Sequence, residues 1–197
     1  MTRSRLAIRD SQRFRLAGWI AIADGIIYAP FQIGTMFFDA FMIQKGVNVD
    51  LFIARHLISA VFLGMNMIVL SMLRYLLQSR YQYRTCDHYL NTLIICQIIG
   101  FILGLVMPIS IIFSIFATLN GVVYASVYLV LALSILQIWG DPFRLLKLYA
   151  YFAIGANLTY LMSVLPNLLI RLDPRIVALL GIANVALTLG LGVILGW

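Results

Sequence analysis

Long runs of apolar residues, separated by short polar stretches, dominate the chain. They cover approximately residues 16–43, 51–76, 89–108, 114–139, 145–170 and 176–196. About 20 apolar residues are enough to cross a bilayer as a helix, which satisfies its own backbone hydrogen bonds. The stretch from Tyr89 to Trp139 is too long for one crossing, and Pro108 marks its turn. The pattern predicts an all-α polytopic membrane bundle of six transmembrane helices.

The connections between these runs are short, which leaves no room for a soluble domain. We therefore expect residues 1–15 to form a basic cytoplasmic segment and residues 16–197 to form a single transmembrane domain. A signal peptide is the alternative for the N-terminus. The first apolar run continues about twenty residues beyond Ala21–Ala23, which is longer than the apolar region of a signal peptide. The first helix is expected to stay uncleaved.

Composition agrees with this class. The chain has 197 residues, of which 63% are hydrophobic and 11% charged, and its mean hydropathy is +1.00. Soluble domains are about a quarter charged, so a soluble globular protein is excluded.

The charged residues are basic in excess. The chain contains 14 Lys and Arg against seven acids, all of them Asp, for a net charge of +7. Most basic residues stand at the ends of apolar runs, where they contact anionic lipid head groups. The cytoplasmic Arg cluster is expected to bind such head groups in this way. No basic surface remains for nucleic acid, so nucleic-acid binding is not expected.

Loop charges also predict orientation, because cytoplasmic loops carry the excess of Lys and Arg. With the N-terminus inside, four basic residues are external: Lys45, Arg55, Arg171 and Arg175. Ten are internal: Arg3, Arg5, Arg9, Arg13, Arg15, Arg74, Arg80, Arg84, Arg144 and Lys147. This bias places both termini in the cytoplasm.

The first apolar run contains a stripe of polar residues. Asp24, Tyr28, Thr35 and Asp39 are spaced by near-whole helical turns, so they share one face. Asp39 lies near the outer end, where an interfacial ion pair is expected. Asp24 lies deeper, with no basic residue predicted at its depth, so it should be neutral, hydrogen-bonded to an amide or hydroxyl, or exposed to a water-filled cavity.

Each segment after the first carries one of these amides: Asn66, Gln97, Asn120, Asn157 and Asn184. One interpretation is that these amides only join helices by hydrogen bonds, at about 0.6 kcal/mol each. The other is that several of them line a polar cavity together with Asp24, Tyr28 and Tyr124. On the second interpretation the candidate ligand-binding residues are Asp24, Tyr28, Asn120, Tyr124 and Asn157.

A short motif recurs in the chain. Residues 24–29, DGIIYA, resemble residues 120–125, NGVVYA, in the fourth segment. Three helices per unit would make the second copy enter the membrane in the opposite direction. Inverted repeats of this kind build transporters whose site lies between the two halves. The alternative is a chance match within apolar sequence.

No catalytic motif is present, so an enzyme is not expected. Cys86 and Cys96 are about 15 Å apart if they share a helix, too far for a disulfide. His56 and His88 are predicted on opposite sides of the membrane, so they cannot share a haem. The sequence predicts no cofactor and no metal site.

Three sequence features resemble a family of uncharacterised six-helix bacterial inner-membrane proteins, grouped as a domain of unknown function. They are residues 15–18, RLAG, at the start of the first helix, Pro142 ahead of residues 144–146, RLL, and residues 160–161, YL, followed by Pro166. The resemblance implies a six-helix bundle in a bacterial inner membrane and no particular activity.

Two functions remain open. In the first, the polar cavity around Asp24 binds or carries a small polar solute or a proton. In the second, the protein is a structural, assembly or regulatory subunit that works with a protein partner or with further copies of itself.

Overall fold

Helices account for almost all of the structure, a computed structural model that describes residues 12, 15–24, 26–27, 31, 49–81, 83–106, 111–138, 144–169 and 174–196. Residues 15–24 are helical and are called α1 here. The following helices are α2 (Val49–Tyr81), α3 (Asp87–Val106), α4 (Ile111–Leu136), α5 (Arg144–Leu169) and α6 (Pro174–Gly196). The prediction of an all-helical protein is confirmed for this part of the chain.

Three of the described helices are long and apolar enough to cross a membrane. These spans are Phe52–Ser79, Asp87–Leu105 and Ile115–Leu136. Within α6, the stretch Leu179–Leu191 is apolar but shorter. Many large apolar side chains, among them Ile58, Val61 and Leu133, are exposed on the outside of the bundle. An apolar outer surface of this kind suits a lipid environment.

The turn between α2 and α3 is tighter than the sequence predicts. α2 continues to Tyr81, beyond the predicted end at residue 76. The Tyr83 N–H donates to the Leu77 carbonyl at 3.0 Å, which satisfies one of the acceptors that a helix end leaves open. α3 then begins at Asp87, an acidic residue in the first turn, where it complements the positive end of the helix dipole.

Consecutive helices from α2 to α6 pack against one another. The buried core is concentrated at one end of the bundle and consists of Leu70, Leu73, Leu77, Cys86, Leu90, Leu93, Leu131, Ala132, Ile135, Leu146, Tyr149, Ala150 and Ala153. Apart from Cys86, which lies in the turn before α3, these residues come from the second halves of α2 and α4 and the first halves of α3 and α5. Neighbouring helices are therefore antiparallel, and the core lies at the end that carries Arg74 and Arg84.

Candidate functional site

A cavity of about 350 Å³ lies within the bundle, and all six helices contribute to its wall. Among the described residues, its polar lining consists of Asp24, Asn66, Gln97, Asn120, Tyr124, Tyr128, Tyr149, Asn157, Tyr160, Asn184 and Thr188. Small-molecule sites usually occupy about 300–1,000 Å³, so the cavity is of a size that holds a ligand. Its position is near the middle of α3 and α4, next to the buried core.

Four of the five residues predicted to bind a ligand lie together in this wall. They are Asp24, Asn120, Tyr124 and Asn157. The fifth, Tyr28, is outside the described residues. The other three predicted amides, Asn66, Gln97 and Asn184, line the same cavity. The structure thus brings the polar residues together, while their role in binding stays a prediction.

Two of these amides connect neighbouring helices. Asn120 of α4 donates its Nδ2–H to the Cys96 carbonyl of α3 at 2.9 Å. Asn184 of α6 donates to the Ala156 carbonyl of α5 at 2.5 Å. Hydrogen bonds of this type contribute about 0.6 kcal/mol each in membrane proteins. The amides therefore hold helices together and line the cavity at the same time.

Two further amides bond within their own helix. Asn66 donates to the Phe62 carbonyl at 3.2 Å, and Asn157 donates to the Ala153 carbonyl at 2.8 Å. In each case the acceptor is four residues earlier, one turn toward the helix N-terminus. One N–H of each amide is thereby bonded to the backbone, and the side chain still borders the cavity.

The approach of α4 to α3 depends on a glycine. A β-carbon on Gly100 would lie 3.0 Å from the Asn120 Nδ2 atom. That separation is tighter than an ordinary van der Waals contact, so a side chain here would press on the amide. Gly100 is one turn after Cys96, whose carbonyl accepts the Asn120 hydrogen bond. The missing side chain leaves the space in which that bond forms.

Two oxygen atoms in the cavity wall are buried without a hydrogen-bond partner among the described residues. They are Oδ1 of Asp24 and Oε1 of Gln97. The Gln97 nitrogen is engaged, because it donates to the Tyr124 hydroxyl at 3.2 Å. Burying an acceptor without a partner costs about 1–3 kcal/mol. Unpaired acceptors in a cavity are therefore places where a bound molecule can donate hydrogen bonds.

Sequence reasoning missed three tyrosines of the wall: Tyr128, Tyr149 and Tyr160. The hydroxyls of Tyr128 and Tyr149 are hydrogen-bonded to each other across α4 and α5. A signal for the first was available, since Tyr128 follows Tyr124 by one helical turn and must share its face. A similar signal places Tyr160 three residues after Asn157 on α5.

A separate polar cluster joins α2 to α3 outside the cavity. The Gln78 Nε2 atom donates to both carboxylate oxygens of Asp87, at 2.9 and 2.7 Å. Arg74 forms an ion pair with Asp87 at 3.4 Å and donates to the Asn91 side chain at 2.9 Å. The cluster is partly exposed at the end that carries the core, so it stabilises this end of the bundle rather than the cavity.

The two histidines lie near opposite ends of α3, His56 on the neighbouring helix α2 and His88 on α3 itself. His56 places a ring nitrogen 3.1 Å from the Gly104 carbonyl oxygen, near the end of α3. His88 is in the first turn of that helix, roughly 24 Å away at 1.5 Å per residue. The two rings cannot bind one iron. Within the described residues, no group of three or more His, Cys, Asp or Glu side chains could hold a metal ion.

Both cysteines, Cys86 and Cys96, are free and buried. Cys86 lies in the turn before α3 and Cys96 borders the cavity.

No protein-family model, curated protein or solved structure matches this chain. Function is therefore inferred from the cavity and the residues around it.

Proposed function

We propose that the protein is an integral protein of a bacterial inner membrane, with six transmembrane helices and both termini in the cytoplasm, whose polar cavity binds or carries a small polar solute or a proton. The observation that carries this proposal is the cavity of about 350 Å³, lined by Asp24 and by an amide from each helix from α2 to α6. A group as costly in lipid as a carboxylate is usually kept for function.

Helix lengths support six crossings. α5 and α6 contain 26 and 23 residues, against the roughly 20 that a bilayer requires. The first predicted segment, 16–43, is described only in part. The excess of Lys and Arg on one set of loops supports cytoplasmic termini.

The recurrence between α1 and α4 supports a carrier built from two halves of opposite orientation. The two residues that the repeat pairs, Asp24 and Asn120, line the same cavity. In transporters with inverted repeats, the site lies at the interface of the two halves. Two halves of opposite orientation are related by a two-fold axis in the membrane plane. Such an axis would bring Asp24 and Asn120 to the wall of one shared cavity.

The structural-subunit alternative draws support from the hydrogen bonds of Asn120 and Asn184, which connect helices directly. A protein that binds no solute would still need those bonds to hold its helices together. The two functions differ in whether water and small molecules reach the cavity, because a purely structural bundle has no need of an accessible interior.

Accessibility can be measured with two cysteine variants of α4. Ala125 lines the cavity, whereas Val123 is exposed on the outer surface, two residues away and thus about 3 Å different in depth. Each would be made in a chain with Cys86 and Cys96 replaced by Ala, in proteoliposomes. A small water-soluble methanethiosulfonate should label Ala125→Cys and not Val123→Cys, because the reacting thiolate forms only where water is present.

Equal labelling of the two positions, or none at either, would contradict the carrier proposal and favour the structural subunit. Labelling confined to Ala125→Cys would support a water-reachable interior. Reaction in detergent after unfolding, in which both positions should react, verifies that each cysteine is intact.

A further inference from the structure

Each amide of the cavity wall already donates a hydrogen bond to the protein. Asn66, Asn120, Asn157 and Asn184 each donate through the side-chain nitrogen to a backbone carbonyl. A carbonyl oxygen has no hydrogen, so only the NH₂ end of the amide can face it. The oxygen end of each amide is left on the opposite side of the group. Each of these four amides therefore has at least one N–H bonded to the protein, while its oxygen is turned away from that backbone carbonyl.

The two buried oxygens without partners extend this pattern. Asp24 Oδ1 and Gln97 Oε1 lack a hydrogen bond among the described residues, and both residues line the cavity. The charged residues of the wall also favour a ligand that donates hydrogen bonds and carries positive charge. Among the described residues of the wall, Asp24 is the one Asp, and none is Lys, Arg or His. An anionic ligand would find no positive group here, whereas a cation would find a carboxylate.

The aromatic rings of the wall and the volume of the cavity further restrict the chemical class of the ligand. Tyr124, Tyr128, Tyr149 and Tyr160 all border the cavity. Aromatic faces attract organic cations within about 6 Å of the ring. A volume of about 350 Å³ corresponds to roughly a dozen water molecules at about 30 Å³ each. That is room for a small organic molecule and far more than a bare metal ion fills.

We infer that the ligand of this cavity is a small organic cation with N–H donors, of the primary-ammonium class, whose charge is neutralised by Asp24 and whose N–H groups bond to Asp24 and Gln97. The inference rests on the proposed function, since it names the solute class for the same cavity. A proton alone would need neither the volume nor the tyrosine rings.

Calorimetric titration of the purified protein at pH 7.5 tests this class with simple probes. Ethylammonium chloride carries charge and donors, tetramethylammonium carries charge without N–H, acetamide is neutral, and sodium acetate supplies an anion. Sodium chloride sets the ionic-strength baseline. We expect ethylammonium to bind at least tenfold more tightly than each of the other probes.

Variants locate the site. Asp24→Asn should weaken ethylammonium binding at least tenfold, and Gln97→Leu should weaken it severalfold without changing any charge. Asp87→Asn is the matched control, because Asp87 lies in the α2–α3 cluster outside the cavity. It should leave binding unchanged. If Asp24→Asn fails to fold, Gln97→Leu still decides whether the cavity is the site.

The outcomes separate the inference from the proposed function. Binding of acetamide or acetate in preference to ethylammonium, or tetramethylammonium binding as tightly, would overturn the ammonium class and leave a solute-binding cavity in place. Sodium binding in the baseline titration that exceeds ethylammonium binding would replace the organic cation by an alkali ion. Failure of every probe while Ala125→Cys is labelled would also overturn the inference. Failure of every probe with Ala125→Cys unlabelled would overturn the proposed function itself.

Discussion

The hydroxyl of Tyr160 on α5 occupies the place where a β-carbon would stand on Gly121 of α4. A β-carbon built on Gly121 overlaps that hydroxyl, and the ring Cζ atom lies 3.1 Å from it. Gly121 directly follows Asn120, so the glycine and the amide of the recurring motif act side by side. One leaves room for a tyrosine of the cavity wall, and the other bonds to α3.

Gly121→Ala should therefore displace Tyr160 from the cavity wall. Overpacking of this type usually costs about 1–3 kcal/mol of stability. We expect a lower midpoint of thermal unfolding in detergent than for the unmodified chain. In Gly181→Ala the added methyl meets nothing within 4 Å, and alanine favours the helix by about 1 kcal/mol. That control should be neutral or stabilising.

Tyr160→Phe provides the rescue, because it removes the hydroxyl that the new methyl would overlap. The double variant Gly121→Ala, Tyr160→Phe should recover most of the stability that Gly121→Ala loses. Additive losses in the double variant would show that Tyr160 is not the cause.

Asp87→Ala should destabilise the end of the bundle that holds the core. The substitution removes two hydrogen bonds from Gln78 and the ion pair with Arg74. Since the cluster is partly exposed, we expect a loss of about 1–2 kcal/mol. Asp87→Asn keeps one acceptor oxygen and should lose less. Thermal unfolding measures both, and an unchanged midpoint in Asp87→Ala would show that the cluster contributes nothing.

The Cys86 thiol should be unreactive at neutral pH in the folded protein. Burial raises the pKa of Cys86 from its ordinary value of 9.0 to about 11, and the neighbouring Asp87 carboxylate adds to the effect. Because the thiolate is the reacting species, alkylation at pH 8 should be about 100-fold slower than in the unfolded chain. In Cys96→Ala protein the rate should rise about tenfold per pH unit from pH 7 to 9. A rate equal to that of the unfolded chain would contradict the burial of the Cys86 side chain.

Orientation can be tested on intact cells with a membrane-impermeant thiol reagent. Thr85→Cys lies in the exposed turn between α2 and α3, next to Arg84. The excess of basic residues predicts that this turn is cytoplasmic, so position 85 should be protected until the cells are opened. Val47→Cys, beside Lys45, should be labelled from outside. Labelling of Thr85→Cys in intact cells would reverse the topology.

Superposition of the two halves of the chain tests the inverted repeat. We expect the first three helices to superpose on the last three about an axis in the membrane plane, with Asp24 on Asn120 and Tyr28 on Tyr124. Superposition with a different register, or none, would make the DGIIYA and NGVVYA recurrence a chance match. The cavity would remain, without the two-fold relation.

The sequence predicts the helices well, because long apolar runs in a membrane must satisfy their backbone hydrogen bonds internally. It predicts the ends of the helices less well. Hydropathy marks where the bilayer stops, whereas a helix can continue into the head groups. α2 therefore runs to Tyr81, although its apolar run ends near residue 76. The polar residues past that point include Gln78, which faces Asp87 across the turn. No hydropathy window registers a contact between two different helices.

Some residues of the cavity could be predicted from the sequence and others could not. Asp24 and the mid-helix amides stand out in sequence because polar groups in lipid are costly. Tyr128, Tyr149 and Tyr160 do not, since tyrosine is common at membrane interfaces for other reasons. Which helix faces align depends on rotation and depth that one sequence does not contain. The choice between amides as connectors and amides as cavity lining also proved unnecessary, because Asn120 does both.

Leu70 and Tyr149 belong both to the buried core and to the cavity wall. A substitution of Leu70 or Tyr149 that changes the shape of the cavity is therefore expected to weaken the core as well. Thr188 of α6 borders the cavity and lies outside the core. A substitution at Thr188 is therefore expected to change the size of the molecule that the cavity accommodates with less loss of core packing than a substitution at Leu70 or Tyr149.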